Sequence, residues 1–154
     1  MKVQQQGFTL VELIVVIVIL GILAATALPR FINVTNDARI SAVQGFAGGL
    51  RSAVAVVQAK YFAVGNAAAT TVPMVDGTSV TVAAVSGIPT GAVGGIGAAI
   101  GGCTGTGAGE CSGFTAIFNL AGTSTFQPTN GGGPTCQASY NDTTGAVTAT
   151  TTGC

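Results

Sequence analysis

The run from Phe8 to Leu28 constrains this chain more than any other part of it. It is 21 residues long, and Glu12 is its single ionisable side chain. Wound as an α-helix it is ~32 Å long, close to the ~30 Å hydrocarbon thickness of a bilayer. Ahead of it lies a short polar leader, Met1–Gly7, whose one cation is Lys2. Ala24, Ala25 and Ala27 imitate the small-residue cleavage site of a secretory signal peptide. Against that reading, the apolar run is longer than a usual signal core and contains a carboxylate.

Glu12 is the informative residue. A charge near a helix end in lipid costs ~1–3 kcal/mol or more, and such residues usually serve a function. The plain reading is a side chain that snorkels to the interface, since Glu12 lies only four residues after Phe8. A cut between Gly7 and Phe8, however, would create an α-amine about one helical turn from Glu12. A neighbouring copy's amine would then neutralise the carboxylate where water is scarce and the attraction strong. That gives Glu12 a role in assembly.

Beyond the run, Pro29 removes a backbone donor and crowds the preceding turn, and Gly21 weakens the helix before it. Together they make 22–28 the easiest stretch to unwind. Asn33 or Thr35 is a possible cap for a separate second helix, but continuation across Pro29 is the preferred reading. Ile40, Val43, Ala47, Leu50, Val54, Val57 and Tyr61 recur at steps of three and four, one apolar stripe fit to pack on a sheet. Arg39, Arg51 and Lys60 lie off it. Gly45, Gly48 and Gly49 each cost ~1 kcal/mol against Ala in a helix, for close packing or for a bend. The helix is expected to end near Val64 to Asn66, with Gly65-Asn66 as its cap.

The remainder reads as β structure. Val72–Val75 and Ser79–Val85 flank Asp76-Gly77, a hairpin signal. Further short runs at Thr115–Asn119, Ser124–Gln127, Cys136–Tyr140 and Ala146–Thr151 suggest an antiparallel sheet of about four strands on the second half of the helix. The fold class is therefore α+β. Gly87 to Gly113 holds eleven glycines in 27 residues and reads as a long irregular surface loop. Its G-x-G-x-x-G matches follow no clear strand and open no helix, which rejects nucleotide binding.

Charge and cysteine usage exclude other classes. All five basic residues (Lys2, Arg30, Arg39, Arg51, Lys60) fall in the first sixty positions, and after Tyr61 the only charges are Asp76, Glu110 and Asp142. Nucleic-acid binding needs clustered cations, so it is not expected. With no His, no paired carboxylates and no phosphate loop, neither catalytic residues nor a cofactor nor a metal site is expected. Cys103, Cys111, Cys136 and Cys154 show no C-x-x-C spacing and point to disulfides in an oxidising compartment. Four cysteines permit three pairings. The local one, Cys103–Cys111 with Cys136–Cys154, is preferred because each bridge then fixes a glycine-rich or terminal segment. Two N-glycosylation triplets, at Asn33 and Asn141, carry little weight because such triplets arise readily by chance.

Gly7-Phe8-Thr9-Leu10-Val11-Glu12, followed by a long apolar helix, resembles the class III signal of type IV pilins and of the related secretion pseudopilins. The resemblance implies the pilin fold, in which the long N-terminal helix is packed by its second half on an antiparallel sheet. It implies cleavage between Gly7 and Phe8 by a prepilin peptidase and N-methylation of Phe8. It also implies storage in the bacterial inner membrane, then polymerisation by inner-membrane machinery into a helical homopolymer on the cell surface. Phe8, Glu12, Gly21 and Pro29 would serve assembly, with 22–28 losing helicity in the filament. The boundaries implied are 1–7 leader, 8–29 transmembrane and filament-core half, 30–65 amphipathic half, and 66–154 disulfide-stabilised β-rich domain.

The short leader is similar to that of the type IVa group. Phe31-Ile32-Asn33, Asp37-Ala38-Arg39, Ser86-Gly87-Ile88-Pro89 and the Cys136…Cys154 ending resemble mannose-sensitive haemagglutinin (MSHA) type pilins, while 91–113 departs from them. A structural pilin, and a major subunit serving attachment with motility as a further option, is thus the leading expectation. The alternative is the pseudopilin of a type II secretion system. That family's major members hold calcium with clustered acids near the C-terminus, where this chain has Asp142 alone and a cysteine pair. A signal-anchored binding protein that never polymerises would leave Glu12 unexplained.

Overall fold

The computed structural model describes residues 8–154, with side chains for all of these except 28–33. Helix α1 spans Leu10–Val64, passing Pro29 without a break. The chain divides into two compact units, Met1–Asp37 and Ala38–Cys154, and α1 contributes to both.

In the first unit every described side chain through Ala27 is exposed. Leu10–Ala27 is long and apolar enough to cross a membrane, and none of it is buried. The second unit treats its share of α1 differently. Val43, Ala47, Leu50, Val54, Val57 and Tyr61 are all buried, and Ile40 is half-buried. Each such residue, where large and branched or aromatic, contributes about 1.5–3 kcal/mol by leaving water.

Two sheets cover that stripe. A small hairpin pairs β1 (Thr71–Pro73) with β2 (Ser79–Thr81). At its tip the Asp76 carboxylate accepts hydrogen bonds from the Thr78 backbone N–H (3.0 Å) and hydroxyl (2.7 Å). These bonds hold the Asp76 carboxyl below its ordinary pKa. Gly77 supplies the left-handed backbone, φ 86°, that the turn requires. Val72, Val80 and Val82 from this region pack with Val57 and Tyr61 as a small second core.

The main sheet is a five-stranded antiparallel meander, β3 (Ala108–Cys111), β4 (Phe114–Ile117), β5 (Thr123–Pro128), β6 (Gln137–Asn141) and β7 (Val147–Thr150), ordered as in the chain. Alternation sends Phe114, Ala116, Phe126, Ala138 and Tyr140 into the main core with Val43, Ala47, Leu50 and Val54 of α1. Phe46 stacks on Phe114 with ring centroids 4.2 Å apart.

The stretch expected to be an irregular surface loop is largely structured. It contains a π-helical turn (Val93–Gly97), one α-helical turn, α2 (Ala98–Ile100), and the edge strand β3, which is the strand absent from the four-strand expectation. Ile96 is completely buried. Several of the glycines here serve close approach rather than flexibility. A Cβ on Gly91 would collide with the carbonyl of Asn119, and one on Gly95 with Thr90.

Candidate assembly site

The first described residues form a reciprocal helix cap. The Thr9 backbone N–H and hydroxyl donate to Glu12 Oε2 at 3.0 and 2.8 Å, and the Glu12 N–H donates to the Thr9 hydroxyl oxygen at 3.3 Å. This is a capping box, in which Thr and Glu three residues apart satisfy the orphan donors that open a helix. The T-x-x-E spacing was readable in the sequence, and Thr9 is the residue that the reading of Glu12 left out. The carboxylate lies beside Phe8, Val11, Val15 and Val16, all exposed, on an open apolar surface of the helix.

Of the other residues singled out, Gly7 lies outside the described residues, as does the side chain of Pro29. Phe8 is 81% exposed. A Cβ on Gly21 would meet nothing within 4 Å, so nothing within the chain demands a glycine there. The 22–28 stretch is helical. Thr26 turns its hydroxyl back onto the Leu23 carbonyl at 3.0 Å, which leaves no unpaired side-chain donor there on an apolar surface.

In the second unit the disulfides join Cys103 to Cys111 and Cys136 to Cys154. The first bridges an antiparallel pairing between its own two cysteines, so it pins β3 to the turn before it. The second loop is also held from α1. Arg39 donates from Nε to the Asn130 carbonyl (2.8 Å) and from a terminal nitrogen to the Cys154 carbonyl (3.2 Å). Arg51 donates to the Val147 carbonyl at 3.1 Å. Arg39 and Arg51 thus clamp the chain's last segment to the helix.

Tyr140 and Ser124 satisfy their buried hydroxyls locally, whereas the buried Thr90 hydroxyl has no hydrogen-bond partner. The Tyr140 hydroxyl donates to the Pro89 carbonyl at 2.6 Å, and burial, then the nearby Asp142, pushes its pKa up. Ser124 donates to the Gly91 carbonyl (2.8 Å) and accepts from the Asn119 N–H (3.0 Å). Among the described residues no group of His, Cys, Asp or Glu is arranged to hold a metal. The Asn141 side-chain oxygen accepts from the backbones of Thr143 and Thr144, so it shapes the β6–β7 turn.

Residues 2–28 match the prokaryotic N-terminal methylation motif. The chain is 53% identical over 57 residues to the type IV narrow pilus major component PilA5 of Thermus thermophilus, 36% of this chain and 49% of that one. It is 39% identical over 88 residues to the fimbrial protein EcpC of Eikenella corrodens, 56% of this chain and 58% of that one. To the type IV major pilin protein PilE1 of Neisseria gonorrhoeae it is 50% identical over 54 residues, 35% of this chain and 33% of that one. The chain therefore spans from about a third to somewhat over half the length of these relatives. No solved structure matches it. The motif at the head of the chain and these relatives make its N-terminal third to half similar to type IV pilins.

Proposed function

We propose that this chain is a structural subunit, and a major one, of a type IV pilus that attaches cells to surfaces. The observation that carries the reading is the wholly uncovered apolar helix Leu10–Ala27 with Glu12 in its first turn. Such a surface is stable in lipid or against other apolar helices, and a pilin uses both in succession. The inner membrane holds the precursor; a prepilin peptidase cuts between Gly7 and Phe8 and Phe8 is methylated. Copies of the chain then cover one another's helices, and the amine of one Phe8 neutralises Glu12 of a neighbour. The boundaries at 1–7, 8–29, 30–65 and 66–154 follow from that sequence of events.

The secretion pseudopilin is the weaker reading, since its calcium-binding acids have no counterpart in the described residues. The MSHA-type assignment rests on the Asp37-Ala38-Arg39 and Cys136…Cys154 patterns. The test is to shear filaments from cells that express the chain, image them by electron microscopy and identify their protein by mass spectrometry. Filaments built of this chain are expected. A chain found only in the membrane, with no surface filament, contradicts the reading.

A further inference from the structure

Nearly every described charge in this protein is occupied within the chain. Glu12 is held by Thr9, Arg39 and Arg51 by backbone carbonyls, Asp76 by Thr78, and Asp142 by the Gly122 N–H. Asp37 has a partner as well. Among the described residues this leaves two charged side chains, Lys60 and Glu110, both exposed and both without a partner inside the chain.

Their surroundings match in kind and oppose in sign. On α1, Val56, Lys60 and Val64 follow one another at steps of four, which sets them along one ridge of the helix. The two valines are 55% and 52% exposed, although each is large and apolar. This ridge lies off the buried stripe that carries Val57 and Tyr61. On the sheet, Glu110 pairs with Thr115, while Phe114 and Ala116 on either side of Thr115 face the core. Glu110 therefore stands on the outer face, with Ile117 of β4 on that same face. Ile117 is 50% exposed and Leu120, just beyond the strand, 72%.

We propose that the Val56–Lys60–Val64 ridge of one copy docks on the Glu110–Ile117–Leu120 surface of the next, pairing Lys60 with Glu110. The occupant is a second copy because each copy carries one patch of each kind, complementary rather than self-complementary. Two different patches on one molecule make a heterologous contact, which cannot close as a two-fold dimer and propagates as an open helical polymer wherever its rotation does not close a ring. With only ten charged residues in 154, the chain has few other means of fixing register between copies. Opposite charges across an interface do that by penalising misplaced partners. The proposal rests on the filament reading above and deepens it by naming a contact between the second units.

The test uses cells expressing the full chain as wild type, Lys60→Glu, Glu110→Lys and the double reversal. Intact cysteine pairing by mass mapping establishes that each variant folds. An exposed pair of this kind changes each contact's association constant about fivefold. Each single reversal is therefore expected to lower sheared-filament yield at least that much, and the double reversal to recover most of it. Carbodiimide treatment of wild-type filaments should give a peptide joining Lys60 to Glu110, absent from detergent-solubilised monomer. Unchanged yield in both single reversals, a double reversal as poor as the singles, or cross-linking of either residue only to a different protein overturns the pairing. If the wild type forms no filament, the pilus reading falls with it; filaments without the Lys60–Glu110 link overturn this contact alone.

Discussion

One helix carries two apolar regions with opposite fates. Between residues 43 and 61 the apolar side chains form a narrow stripe, and the chain's own sheet and hairpin bury it. Between residues 10 and 27 they run all around the helix, and the chain covers none of them. A stripe at steps of three and four is solvable by one partner layer within the same molecule. A helix apolar on every side is not, and needs lipid or several neighbouring helices. The difference separates what the chain folds by itself from what, on the proposed function, a membrane or a polymer must cover.

The strongest way to break this contrast is Glu12→Gln. Glutamine keeps the capping geometry at Thr9 but removes the charge. Breaking a buried ion pair costs about 3–5 kcal/mol, so filament yield should fall by two orders of magnitude or so while the membrane level stays normal. Normal filaments from that variant would leave Glu12 as a cap alone. Next comes a paired truncation. Leu50→Ala should destabilise the second unit by about 2–5 kcal/mol, read as protease sensitivity or a lowered melting temperature in detergent. Leu20→Ala should leave that unit's stability unchanged and act on polymerisation only.

Replacing Cys136 and Cys154 together by Ser should cost about 3 kcal/mol, again confined to the second unit. Tyr140→Phe is a smaller change, about 1 kcal/mol for the bond to the Pro89 carbonyl. It carries a pH signature. The folded state holds the Tyr140 proton more tightly than the unfolded chain, whose tyrosine titrates near pH ~10. Stability is therefore full below that pH and falls as pH rises above it, and the variant should show a flatter alkaline limb in thermal melts. The smallest effect is Gly45→Ala. A Cβ there meets nothing within 4 Å, so the isolated subunit should gain up to about 1 kcal/mol.

The long helix and its stripe were legible in the sequence because helical periodicity survives without knowledge of the partner layer. The same holds for the strands from β4 onward, whose alternation of Phe114, Ala116 and Phe126 with polar residues is local. The 87–113 stretch was not legible. Its glycines signal flexibility by composition, but at Gly91 and Gly95 they admit neighbouring backbone at contact distance, which only tertiary packing reveals. Edge strand β3 hid there because Ala108-Gly109-Glu110 has weak strand propensity and is held by its pairing with β4 and the Cys103–Cys111 bridge. At the candidate assembly site, the T-x-x-E spacing of Thr9 and Glu12 is a local signal of the helix cap, independent of any role for the Glu12 charge.

On the proposed function, the exposed apolar helix is trimmed at its head and then buried in a polymer of its own kind. The most direct measurement is the mass of the N-terminal peptide from protein recovered in sheared surface filaments. The expected result is a chain beginning at Phe8 with one added methyl group on its α-amine. Filament protein that begins at Met1, or one cut after Ala27 so that the apolar helix is gone, would contradict it.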